Sequence, residues 1–225
     1  MVHSAVLEVE EVDCELLKSV EGIKTLCPLH LISLIFIFSI AIKLAILWTI
    51  QSPHIVFDES NYYVIAKQIW EDKDFHINMH PFPQYPPLYP FLISPIVGGI
   101  EDKILSFHCI LVLNAFLSSL IVLPAYYLAK EYLNENDSII VAFLTVLMPP
   151  SFIYSFTIMA ENLFFPLFLT SVCFMTRVYK SNNSKNNLLV GIFISLTILT
   201  KLIGLVLAVV YLLEVLYLRW KEKTG

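Results

Sequence analysis

The sequence predicts an all-α fold: a polytopic bundle of about six membrane-spanning helices, with amphipathic helices in the first outer loop. Three observations predict it. Apolar residues make up 57% of the 225 positions and charged residues 15%, against roughly 45–50% and 25% in soluble domains. The apolar residues fall in runs of membrane length divided by short polar segments. The basic residues between those runs sort unequally to the two sides once the runs are threaded through a bilayer.

Residues 1–28 form a polar, acidic head placed in the cytoplasm. Val6, Leu7, Val9, Val12, Leu16, Leu17 and Val20 approximate a helical stripe within it. A polar start of this length has no cleavable signal pattern, so the first apolar run is expected to stay as a span. The membrane domain then covers 29–219, and 220–225 is a cytoplasmic tail. Leu29–Ile50 is the first span, about 22 residues where about 20 are needed. Lys43 lies inside it, and a lysine at that depth snorkels to the interface or faces a wet interior.

The outer loop 52–103 follows. It contains an amphipathic helix over Glu59–Trp70, with Tyr62, Ile65, Ala66 and Ile69 on one face. Pro86–Ile100 is apolar but reaches only about 22 Å as a helix, short of a core of about 30 Å. Its prolines and Gly98–Gly99 weaken it further, so it reads as an interfacial or re-entrant piece. The later spans are Ile104–Leu128, Ser138–Met159, Leu163–Tyr179, Leu188–Thr200 and Leu202–Leu218. Pro149–Pro150 should kink the third span, and a hairpin should turn near Lys201.

Charge supports this threading. With 86–100 not crossing, Lys18, Lys24, Lys130, Arg177, Lys180, Lys185, Arg219, Lys221 and Lys223 lie inside. Only Lys67, Lys73, Lys103 and Lys201 lie outside. If 86–100 crossed, the count would reverse. Both Asn-X-Ser stretches, at Asn136 and Asn182, fall on the cytoplasmic side and are discounted as glycosylation sites.

Function classes narrow in the same way. A net charge of −5 and no basic stripe argue against nucleic acid as a partner. Cys14, Cys27, Cys109 and Cys173 lack metal-ligand spacing and read as small hydrophobes. His76 and His80 near Asp74 match no standard metal spacing. Ionisable groups at a membrane surface are costly unless paired or wet, and the threading brings Asp58, Glu59, Glu161 and Lys201 to one outer face. A carboxylate there can take a hydroxyl proton as general base, and an ammonium can oppose the charge on a departing phosphate. The same residues have plainer readings: Asp58 and Glu161 as helix caps, Lys201 as an interfacial anchor.

The sequence resembles the N-terminal membrane half of the GT-C glycosyltransferases, such as protein O-mannosyltransferases and lipid A aminoarabinose transferases. The resemblance rests on Asp58-Glu59 in the first outer loop and on Tyr85-Pro86-Pro87-Leu88-Tyr89-Pro90. It rests also on Ala160-Glu161-Asn162-Leu163 after a proline-broken span and on Leu199-Thr200-Lys201. It implies a membrane glycosyltransferase acting outside the cytoplasm, with a polyprenyl- or dolichyl-phosphate sugar as donor and an acceptor hydroxyl. It implies Asp58 as the catalytic residue, with Glu59, Tyr85, Glu161 and Lys201 binding substrate. Asp58 and Glu161 would be the ligands of any divalent metal ion. Members of that family are usually much longer, so the expected partners include a second chain supplying C-terminal spans, besides membrane lipids and the donor. The alternative expectation is a non-catalytic membrane subunit or small transporter binding a lipid phosphate.

Overall fold

The computed structural model describes residues 28–50, 57–72, 85–181 and 183–224. The apolar stripe of the polar head and the pair His76 and His80 lie outside the described residues. Among the described residues all regular structure is helical. In chain order the helices are α1 (Pro28–Leu47), α2 (Phe57–Asp72), α3 (Leu88–Gly99), α4 (Lys103–Ser119) and α5 (Val122–Lys130). They continue as α6 (Glu135–Leu147), α7 (Pro149–Ile153), α8 (Glu161–Lys180), α9 (Ser184–Thr200) and α10 (Leu205–Thr224). Short 3-10 turns lie at Tyr154–Phe156 and Leu202–Gly204.

Four stretches are long and apolar enough to cross a bilayer: Pro28–Leu47, Lys103–Lys130, Glu161–Lys180 and Leu202–Lys221. α6, α7 and the turn after them make a fifth, bent by 51°. The bend falls at Pro149–Pro150 as expected, because prolines lack the N–H that would continue α6 and push Met148 out of helical geometry (ψ 134°). Of the about six expected spans, four or five meet the length of a bilayer. The remaining segment, α9, has 17 residues and reaches only about 26 Å. α4 and α5 form one span interrupted at Leu120. Pro124 cannot donate to the Leu120 carbonyl, which takes the Leu123 N–H at 3.2 Å instead.

Helix starts follow their capping residues. Asp102 accepts from the N–H groups of Ile104 and Leu105 at 2.8 and 3.2 Å and opens α4. Asn134 and Asn183 do the same for α6 and α9. Lys43 does not snorkel. It is completely buried and donates to Ser118 Oγ at 2.8 Å and Ser119 Oγ at 3.3 Å. Ser39 shares a hydrogen bond with Ser119 at 2.7 Å. Small hydroxyl residues on both helices let α1 and α4 approach closely and solvate the ammonium inside the bundle.

The loop helices are docked onto the bundle. Tyr62, Ile65, Ala66 and Ile69 of α2 are all buried, as their spacing predicts. Trp70 lies across Gly98 of α3 so closely that a Cβ there would sit 1.9 Å from Trp70 Cδ1. Tyr62, Ala66, Tyr89, Ile93, Ile110 and Ile158 belong to one core cluster that joins α2, α3 and α4 to the stretch before α8. A fully buried isoleucine contributes about 1.5–3 kcal/mol, so this cluster fixes α2 and its acidic first turn on the end of the bundle.

Candidate active site

α2 begins at Phe57, which puts Asp58 and Glu59 in its first turn, where the helix dipole favours carboxylates. The two point differently. Asp58 is half-buried, and its Oδ1 accepts from the Tyr85 hydroxyl at 2.7 Å. Asn61, one turn along, donates through Nδ2 to that same hydroxyl oxygen at 3.0 Å. Asp58 stands within the first turn of α2 rather than ahead of it. Glu59 is only 4% exposed, and its Oε1 accepts from the backbone N–H of Ile158 at 2.8 Å.

Ile158 belongs to the irregular stretch between α7 and α8. Backbone freed from helix at a membrane must find partners within the protein. Asn162, almost wholly buried, supplies them: its Nδ2 donates to the carbonyls of Tyr154 at 2.8 Å and Met159 at 2.9 Å. α8 then starts with Ala160 as an N-cap that makes no side-chain cap bond. Glu161 follows in the first turn. Its Oε1 accepts from Lys201 Nζ at 2.6 Å, with the two side chains 11% and 32% exposed respectively. Glu161 Oε2 is buried and has no hydrogen-bond partner among the described residues.

Lys201 reaches Glu161 because α9 stops at Thr200 and the next residue is extended (φ −150°, ψ 133°). The chain turns back through Leu202–Gly204. A Cβ on Gly204 would meet the backbone of Thr197 and Ile198 at 3.0 Å, so a glycine lets the turn close against the end of α9. The hairpin expected near Lys201 is present: Tyr211 on α10 donates to Asn187 Oδ1 on α9 at 2.6 Å.

Three tyrosines pack together next to these acids. Tyr62 meets Tyr85 and Tyr89 edge-on, with ring centroids 5.0 and 5.3 Å apart. Burial raises all three phenol pKa values. The negative charges of Glu161 and Asp58 raise Tyr62 further, and the hydrogen bond to Asp58 raises Tyr85. The Glu59–Ile158 bond ties the first turn of α2, which carries Asp58, to the stretch three residues before Glu161. The tyrosines stay protonated at neutral pH, and Tyr85 and Tyr89 donate to Asp58 Oδ1 and Asn114 Oδ1.

The arrangement offers a carboxylate, Asp58, held through one oxygen, and an ammonium, Lys201, oriented by a second carboxylate. Among the described residues no three His, Cys, Asp or Glu side chains gather as a ligand set. Asp58, Glu59 and Glu161 each give one oxygen to a hydroxyl, an amide or an ammonium. Sequence reading missed Asn61, Asn162 and the Ile158 N–H. Asn162 stands inside the Ala160-Glu161-Asn162-Leu163 motif, which was a signal that could have found it.

Among known proteins, the family model described as dolichyl-phosphate-mannose-protein mannosyltransferase matches residues 84–224. The match takes in Tyr85, Glu161 and Lys201 and begins after Asp58 and Glu59. No curated protein and no solved structure matches the chain.

Proposed function

This chain belongs to the dolichyl-phosphate-mannose-protein mannosyltransferase family, and from that premise we propose that it transfers mannose from a polyprenyl- or dolichyl-phosphate donor to an acceptor hydroxyl on the extracytoplasmic side. It is an integral membrane protein. The observation that carries the proposal is the Lys201–Glu161 pair at 2.6 Å, joined to the acidic start of α2 by the Glu59–Ile158 bond three residues before Glu161. The unequal distribution of basic residues supports the extracytoplasmic placement of these groups.

In the proposed reaction the acceptor hydroxyl gives its proton to Asp58 Oδ2 as its oxygen bonds to C1 of the sugar. The C1–O bond to phosphate breaks on the opposite face, so configuration inverts. The bond pair stays with the lipid phosphate. Lys201 opposes that growing negative charge, and preorganised charge of this kind lowers the barrier most where water is excluded. Tyr85, at the edge of the site, holds Asp58 Oδ1 and so aims Oδ2 at the acceptor. Glu161 orients Lys201 and offers Oε2 to a substrate hydroxyl. Glu59 contributes to binding from beneath, by holding the backbone before Glu161. The same reading includes membrane lipid around the bundle and a second chain with further spans, which would cover the exposed apolar residues Val206, Val209, Val210 and Leu213 of α10.

Membranes containing wild-type protein or Asp58→Asn at matched expression, given radiolabelled polyprenyl-phosphate mannose, test this. The amide has nearly the shape of the carboxylate but cannot take the proton. Transfer should fall about 10²–10⁴-fold, with donor binding nearly unchanged. Near-wild-type transfer by Asp58→Asn would return Asp58 to a structural role. Donor retention without transfer by the wild-type protein would favour a non-catalytic lipid-phosphate-binding subunit.

A further inference from the structure

Asn114 lies in the middle of α4 and is completely buried. A buried amide must spend its donors and its acceptor inside the protein. Its Oδ1 accepts from the Tyr89 hydroxyl of α3 at 3.0 Å. Its Nδ2 donates to the carbonyl of Thr157 at 2.8 Å. That carbonyl belongs to the same planar peptide unit as the Ile158 N–H, and in a trans peptide the two point in opposite directions. The N–H is the group that holds Glu59 Oε1 at 2.8 Å. One peptide in the irregular stretch is therefore gripped from both sides, by Asn114 on α4 and by Glu59 on α2. Rotating the peptide would cost both bonds together. Tyr89 adds direction: by donating to Oδ1 it turns the Nδ2 side of the amide toward Thr157.

We infer that Asn114 is a positioning residue for the transfer site, acting through the Thr157–Ile158 peptide to set where Glu59 and the start of α8 at Glu161 stand. The inference rests on the reading of this end of the bundle as the site of transfer. Asn114 itself touches neither of the substrates. Its effect reaches the chemistry because Glu161, three residues beyond Ile158, orients Lys201. An Asn114 substitution should therefore lower turnover and, through Lys201, also weaken the grip on the donor.

The test compares wild-type protein, Asn114→Leu and Tyr89→Phe as full chains in lipid nanodiscs, by hydrogen exchange and by transfer kinetics. Leucine keeps the branched shape of asparagine, at a larger volume, without its polar atoms. Phenylalanine removes only the hydroxyl and carries the test if Asn114→Leu does not fold. Amides in 154–160 should exchange about tenfold faster in Asn114→Leu, and by a smaller factor in Tyr89→Phe. Peptides from the middles of α4 and α8 should exchange as in the wild type. In transfer from polyprenyl-phosphate mannose, kcat should fall about tenfold and the donor KM should rise. Unchanged exchange in 154–160 in both variants would overturn the inference. So would faster exchange spread evenly over the whole protein, which is what a purely stabilising residue gives. Locally faster exchange with no transfer by the wild-type protein supports the clamp and rejects the transfer reading.

Discussion

Glu161 and Lys201 are 40 positions apart in sequence and 2.6 Å apart in space. Two accounts of the pair are possible: mutual neutralisation alone, or a cation held ready for a phosphate. They separate under charge exchange. Lys201→Ala should lower both donor affinity and turnover, the latter about 10²-fold. Glu161→Lys combined with Lys201→Glu should recover the thermal stability lost by either change singly, because the partly buried pair is restored. It should not recover transfer, because the cation then stands on the wrong element. Recovery of both would confine Lys201 to a structural role. Asp58, Glu161 and Lys201 were legible in the sequence, since an ionisable residue bordering an apolar run stands out against its surroundings. The bond partners were not. Ile158 offers only a backbone N–H, which every residue but proline has, so nothing in its side chain marks it. Lys43 was visible, but its direction was not, because the serines that receive it lie 75 and 76 positions away.

α2 and α3 pack by a mechanism that depends on one missing side chain. The Trp70 ring occupies the space where Gly98 would carry a Cβ. Gly98→Ala should displace that ring and cost about 1–3 kcal/mol of local packing. Limited proteolysis between α2 and α3 should then speed up, with the spans unaffected. Unchanged cleavage would mean that α2 is held by its other contacts alone. The amphipathic face of α2 was legible because period 3.6 burial needs only local sequence. The number of spans was less so. Hydropathy records apolar runs, whereas helix ends are set by single residues: Asn183 caps α9 at one end and the extended Lys201 ends it at the other. The break at Pro149–Pro150 was expected, but its consequence was not. It frees carbonyls that Asn114 and Asn162 then bind, and no local pattern pairs those residues.

Across the whole molecule the two ends of the bundle differ in chemistry. One holds Asp58, Glu59, Glu161, Lys201 and the tyrosines. The other carries Lys180, which pairs with Glu131 at 2.6 Å, and the capping asparagines Asn134 and Asn183. Between them, exposed apolar residues of α1, α4 and α10 such as Ile37, Val112 and Leu212 suit contact with lipid chains. This asymmetry was legible in the order of charges along the chain, because a threaded bundle alternates sides with each span. The central claim is that a lipid-phosphate sugar binds at the first of these ends. Photocrosslinking with polyprenyl-phosphate mannose carrying a diazirine on the sugar, followed by peptide mapping, tests it without relying on turnover. The account predicts labelled peptides from the start of α2, the 154–161 stretch and the turn at 201–204, competed by unlabelled donor. Competed labelling confined to 178–187 and 211–219, at the opposite end, would contradict it.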